Sequence, residues 1–91
     1  AALEQHPGVL EAAVFGIPSE DWGEIVHAVV VQNGTTEVTE ELLDQHARTH
    51  LASYKIPRSV SWTDELPKTG SGKILKRELR QPYWDEFNSA I

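Results

Sequence analysis

Cysteine and methionine are both absent from the 91 residues. Without cysteine there is no disulfide framework, no thiolate nucleophile and no thiolate metal ligand. Four histidines alone are a weak metal signal. No run of about 18 apolar residues occurs, which excludes a transmembrane helix. No signal-peptide pattern is present, so the expected location is cytoplasmic. The first residues, Ala1-Ala2-Leu3-Glu4-Gln5, read as the tail of a helix stopped by His6-Pro7-Gly8. With no initiator methionine, the expectation is a fragment whose upstream sequence is missing.

Positive charge is also absent from the first half. Residues 1–47 hold nine acids and no Lys or Arg, whereas residues 48–80 hold all eight Lys+Arg. The net charge of −6 therefore conceals an acidic half joined to a basic one. A basic half of this kind meets either an anion, an acidic partner or plain solvent. Five of the eight cations, Lys68, Lys73, Lys76, Arg77 and Arg80, lie in or just after Pro67-Lys68-Thr69-Gly70-Ser71-Gly72-Lys73. A glycine-rich turn with a lysine at the start of a helix suits anionic oxygen atoms.

Ninety-one residues of ordinary globular composition make one domain. Val9–Ile17 reads as a strand ended by Gly16-Ile17-Pro18. Ser19–Glu24 is a polar loop holding Trp22, with Gly23-Glu24 as a structural turn. Ile25–Val31 is a second strand, and its continuous apolar run predicts burial on both faces. Thr39 reads as the N-cap of a helix carrying Glu40 and Glu41 in its first turn. Leu42, Leu43, His46, Ala47, His50 and Leu51 give that helix one apolar face. His46 and His50 are four apart, as metal ligands on a helix are, but no motif-spaced acidic third ligand accompanies them. They are read as face or core histidines, and no metal site is expected. Ser59–Thr63 alternates as a third strand, and Ile74–Arg80 is a short helix ended by Gln81-Pro82. Tyr83-Trp84-Asp85-Glu86-Phe87 is either a docked tail or one that touches another domain. The order predicts an α+β domain with a central three-stranded sheet covered by helices.

The glycine loop is not a P-loop. That motif needs Gly at 67, where Pro67 stands, and Ser or Thr at 74, where Ile74 stands. Nor does it make a dedicated nucleic-acid binder, since no aromatic residues interleave with the cations and the net charge is negative.

Leu66-Pro67-Lys68-Thr69-Gly70-Ser71-Gly72-Lys73-Ile74 resembles the final signature of the adenylate-forming superfamily of acyl-CoA synthetases, peptide-synthetase adenylation domains and luciferases. Leu3–Val14 resembles the opening of that family's C-terminal domain. Gly16-Ile17-Pro18 with Gly23-Glu24, and then Tyr54-Lys55-Ile56-Pro57, are similar to its intervening signatures, in order. The resemblance implies that residues 1–91 are the mobile C-terminal lid of a two-domain enzyme, with the large N-terminal domain and the hinge missing. ATP and CoA would be substrates, Mg2+ would sit in the missing domain, and this piece alone would be inactive.

By the same resemblance, Lys73 is the adenylation lysine, on a loop formed by Gly70, Ser71 and Gly72. Trp22 and Tyr54 would flank the CoA adenine, and Arg48, Lys55 and Arg58 would meet its phosphates. A lysine acetyltransferase acting on Lys73 would remove the charge that adenylation needs. The leading reading is an acyl-CoA synthetase for a fatty or other medium-to-long acid, a preference resting on Gln81-Pro82-Tyr83-Trp84. A peptide-synthetase subdomain and a free-standing interaction or nucleotide-binding module remain as alternatives.

Overall fold

The computed structural model describes residues 2–51 and 55–89. A short 3-10 turn, Ala2–Gln5, leads into strands β1 (Val9–Ser19) and β2 (Gly23–Gln32). Helix α1 (Glu40–His50), strand β3 (Ser59–Thr63) and helix α2 (Lys76–Ser89) follow. The sheet order is β1-β2-β3, with β1 antiparallel and β3 parallel to the central β2. The parallel pair needs a crossover, and α1 provides it. This is the α+β domain with a three-stranded sheet that the residue pattern predicts.

Alternation along β2 splits the core in two. Ala28 and Val30 join Leu3, Val38, Leu43 and Ala47 on the α1 side. Val29 and Val31 join Ala13, Phe15 and Leu66 on the other, where Ile74, Leu79 and Tyr83 pack against them. The continuous apolar run in β2 therefore reflects burial on both faces. In β1 a bulge between Val9 and Glu11 lets Val9 and Ala12 share the α1 side and leaves Leu10 exposed.

Thr39 caps α1 as expected, its side chain accepting from the Leu42 N–H at 3.1 Å. The buried face is narrower than the sequence spacing predicts. Leu43 and Ala47 are buried, but Leu42 and His50 are exposed, because only a strip of α1 meets the sheet. β1 also runs past Gly16-Ile17-Pro18 to Ser19, since Pro18 pairs with Glu24 at the edge of the sheet, where a missing N–H is tolerated.

The largest correction concerns α2. The short helix predicted over 74–80 instead begins at Lys76 and continues through Pro82 to Ser89. Proline removes one backbone bond there. Aromatic docking beyond it offsets that loss: Trp84 Nε1–H donates to the Gly16 carbonyl at 3.2 Å, and Tyr83 packs on Phe15 and His27. The aromatic stretch after Pro82 is thus a docked part of α2.

Candidate functional site

The lysine loop is a closed hairpin. Lys68 and Ile74 form an antiparallel bridge, and the Thr69 N–H donates to the Lys73 carbonyl at 2.8 Å. The Gly72 N–H returns to the Thr69 carbonyl at 3.0 Å, and the Lys73 N–H donates to Thr69 Oγ1 at 3.1 Å. Thr69 Oγ1 and Ser71 Oγ lie 3.0 Å apart. Gly72 has φ +87°, a conformation that a Cβ disfavours, whereas Gly70 does not need it. The hairpin is rooted by Leu66 and Ile74 in the core and by an ion pair from Lys68 to Glu11 of β1.

These contacts leave the Lys73 side chain exposed beside the Gly70-Ser71-Gly72 tip of a rooted hairpin, with no ion-pair partner among the described residues. Lys76, Arg77 and Arg80 in the first turns of α2 likewise lack one. Lys68 is structural, its charge spent on Glu11.

The second group of predicted residues gathers elsewhere. Trp22, in the turn between β1 and β2, is 67% exposed. Its backbone N–H donates to Ser19 Oγ at 3.3 Å, and Gly23 beside it has φ +78°. The Arg58 guanidinium lies 4.7 Å from the Trp22 ring centre, while its backbone N–H donates to the Val26 carbonyl at 2.8 Å. Cation and indole are thus already stacked.

Arg58 and Arg48 line one groove of about 750 Å³, floored by Leu43, Ile56 and Val60. Glu40, Glu41 and Asp44 share the lining, and Arg48 is held by Asp44 at 2.8 Å. Arg48 thus has a carboxylate partner, whereas Arg58 lies against the Trp22 ring. Lys55 is exposed in the segment before β3, and Tyr54 lies outside the described residues.

The two groups occupy opposite ends of the sheet. Trp22 adjoins Gly23, the first residue of β2, whereas Glu11, which holds Lys68, faces Val31. These points are eight positions apart along β2, roughly 26 Å at about 3.3 Å per residue.

One polar centre was not singled out from sequence. His27 of β2 is 3% exposed, the one buried polar side chain among the described residues. Its Nδ1 lies 2.6 Å from Ser59 Oγ, and its Nε2 lies 3.0 Å from Ser61 Oγ and 3.2 Å from the Tyr83 hydroxyl. Burial holds its pKa below the usual histidine value, with the Glu40 carboxylate opposing. The sequence signal was the Ser59–Ser61 alternation, which puts two hydroxyls on one face of β3.

Among the described residues no group of three His, Cys, Asp or Glu side chains is arranged to hold a metal ion. His46 stacks on His50 at 4.3 Å, and His50 Nδ1 lies 2.9 Å from the His46 carbonyl, which makes the pair part of the helix surface. No helix among these residues is long and apolar enough to cross a membrane.

The three-stranded α+β domain thus offers an exposed lysine on a rooted hairpin at one end and a stacked Trp–Arg pair at the other. The chain belongs to the AMP-binding enzyme C-terminal domain family, which it matches over residues 1–73. It is 49% identical over 81 residues to a feruloyl-CoA synthase from an Amycolatopsis species, covering 89% of this chain and 16% of that protein. It is 45% identical over 84 residues to the fatty acid–[acyl-carrier-protein] ligase ScoC of Streptomyces coeruleorubidus, covering 92% of this chain and 16% of that one. Among solved structures, the acyl-CoA synthetase of Brucella canis superposes with a TM-score of 0.84 at 41% identity, over 93% of this chain and 16% of that one. The chain thus spans about one-sixth of the length of these relatives.

Proposed function

We propose that this domain is the C-terminal lid of an ATP-dependent, AMP-forming acyl-CoA synthetase and that Lys73 serves its adenylation step. The observation that carries the reading is the exposed lysine on a rooted, glycine-shaped hairpin in a chain of this family. A large N-terminal domain of the same protein supplies the ATP, acid and Mg2+ sites. In the first half-reaction a carboxylate oxygen attacks the α-phosphorus, the bond to the bridging oxygen breaks, and pyrophosphate leaves with that electron pair. Two anions converge, and charge grows on the phosphoryl oxygens. A lysine ammonium on a long stem can meet the acid oxygen and a phosphate oxygen together, stabilising the in-line arrangement.

In the second half-reaction the CoA sulfur attacks the acyl carbon and AMP leaves. The Trp22–Arg58 end of the sheet suits this step, an indole for the adenine and a guanidinium for a phosphate. The two groups lie too far apart to enter one active site together, which fits a lid that turns between steps. The acid itself is read by the N-terminal domain, and a fatty acid is the preferred class. Consumption of ATP and CoA fits a cytoplasmic enzyme. Acetylation at the exposed Lys73 would silence the first step by removing its charge.

The test is pyrophosphate exchange by the full-length protein over a panel of acids, with Lys73→Ala alongside. The variant is expected to lose acyl-adenylate formation by at least about a hundredfold. Thioester formation from supplied acyl-adenylate should stay near the parent rate. Equal loss in both steps would refute the assigned role.

A further inference from the structure

We propose that His27 is a positioning residue for Lys73: as a buried neutral imidazole it accepts the Tyr83 hydroxyl and so latches α2, the helix that follows the lysine hairpin, onto the sheet. The inference rests on the reading of Lys73 given above.

The geometry around His27 joins three elements. β3 contributes Ser59 and Ser61, α2 contributes Tyr83, and β1 contributes Phe15, whose ring meets the imidazole edge-on at 5.6 Å. Of these neighbours only Tyr83 is titratable. Among the described residues, the charge that acts on His27 from elsewhere is the Glu40 carboxylate at the start of α1. A neutral imidazole offers one N–H and one lone pair. A phenol is the best donor among the three hydroxyls. The tautomer assigned from these partners therefore has Nδ1–H donating to Ser59 Oγ and Nε2 accepting from Tyr83. Protonation would place a hydrogen on Nε2 and a charge in a site that is 3% exposed, and the Tyr83 hydroxyl would have to stop donating there and turn to Ser61 Oγ, 3.4 Å away.

Tyr83 is the point at which that matters. α2 has no fully buried residue, so its attachment depends on a few contacts. Tyr83 and Trp84 form the polar ones, to β2, β3 and β1. Lys76, the first residue of α2, is eight residues from Trp84, roughly 12 Å along the axis, and Lys73 lies just before it. A helix freed at Tyr83 tilts about its other contacts and shifts the hairpin at its start. A catalytic group misplaced by about 1 Å loses on the order of a hundredfold in rate.

The sign follows from burial. The undocked state takes up a proton near the ordinary histidine value of about 6.5, and the docked state does so at lower pH. Docking is thus at full strength above that value. It weakens as pH falls from there through the lowered pKa, because the undocked state then binds more protons.

The experiment is hydrogen exchange by mass spectrometry on residues 76–89 in the full-length protein, at about pH 7.5 and about pH 5.5, corrected for intrinsic exchange. In the parent, protection is expected to fall roughly fivefold at the lower pH, because the buried imidazole must take up a proton and give up the hydrogen bond it accepts from Tyr83. His27→Gln keeps a hydrogen-bonding side chain that does not titrate, and its protection should not change with pH. Tyr83→Phe removes a single oxygen, so the fold survives if glutamine is not accommodated. Its protection should be about fivefold lower at both values. In kinetics, the parent's acid limb in pyrophosphate exchange should flatten in His27→Gln, while thioester formation from acyl-adenylate keeps its profile. Protection that is flat with pH in the parent, or that falls equally in His27→Gln, overturns the latch. So does an equal shift in both half-reactions. Should Lys73→Ala leave pyrophosphate exchange intact, the assignment of Lys73 falls instead, and the hydrogen-exchange result stands by itself.

Discussion

Gly72 sets the direction of Lys73. Its φ of +87° turns the hairpin so that the Lys73 N–H meets Thr69 Oγ1. An added Cβ would meet no neighbouring atom there, so the strain is in the backbone alone. Gly72→Ala is expected to cost the loop about 1 kcal/mol or more and to lower pyrophosphate exchange roughly tenfold, leaving the far-ultraviolet circular dichroism unchanged. An unaltered exchange rate would show that the backbone turn does not aim the lysine. The place of Lys73 on a glycine turn was legible because its setting is local, a run of seven residues. His27 was not, because its partners lie 32, 34 and 56 residues further along the chain. No periodicity connects such positions before the fold is known. The Glu11–Lys68 ion pair escaped notice for the same reason.

At the scale of elements, the strands and α1 follow from alternation, an N-cap and helical spacing, and α2 does not. Pro82 is a stop signal by any local rule, and its neighbours Lys76, Arg77, Asp85 and Glu86 oppose the helix dipole. Tertiary docking overrides both. One of the docking contacts is Trp84 Nε1 on the Gly16 carbonyl, an acceptor on the outer side of β1, an edge strand. Trp84→Phe keeps much of the apolar surface but removes the donor. Urea unfolding should show a loss of about 1 kcal/mol, and residues 83–89 should exchange faster than the rest of the domain. An unchanged midpoint would mean that packing alone holds the helix. The basic first turns of α2 oppose the helix dipole and lack ion-pair partners among the described residues.

For the molecule as a whole, composition and pattern revealed a sheet of three strands but not its order. The central place of β2 was foreshadowed by its apolar run. The parallel pairing with β3 was not, because it is set by how α1 crosses the sheet. That order puts the lysine hairpin and the Trp22–Arg58 pair at opposite ends of β2. Sites so far apart, sharing no partner, should contribute independently to the overall free energy. In a double-mutant cycle of Lys73→Ala and Arg58→Ala, read as kcat/KM of each half-reaction, the two effects should add to within about 0.5 kcal/mol. A larger coupling energy would mean that the ends communicate through the sheet. If they add, the strand is an insulator for inheritance as well as for energy. On the proposed reading, the end assigned to the thiol can be rebuilt, for a nucleotide or for a carrier protein, without retuning the end assigned to the adenylate. One small lid can then be passed among ligases whose acids and acceptors differ.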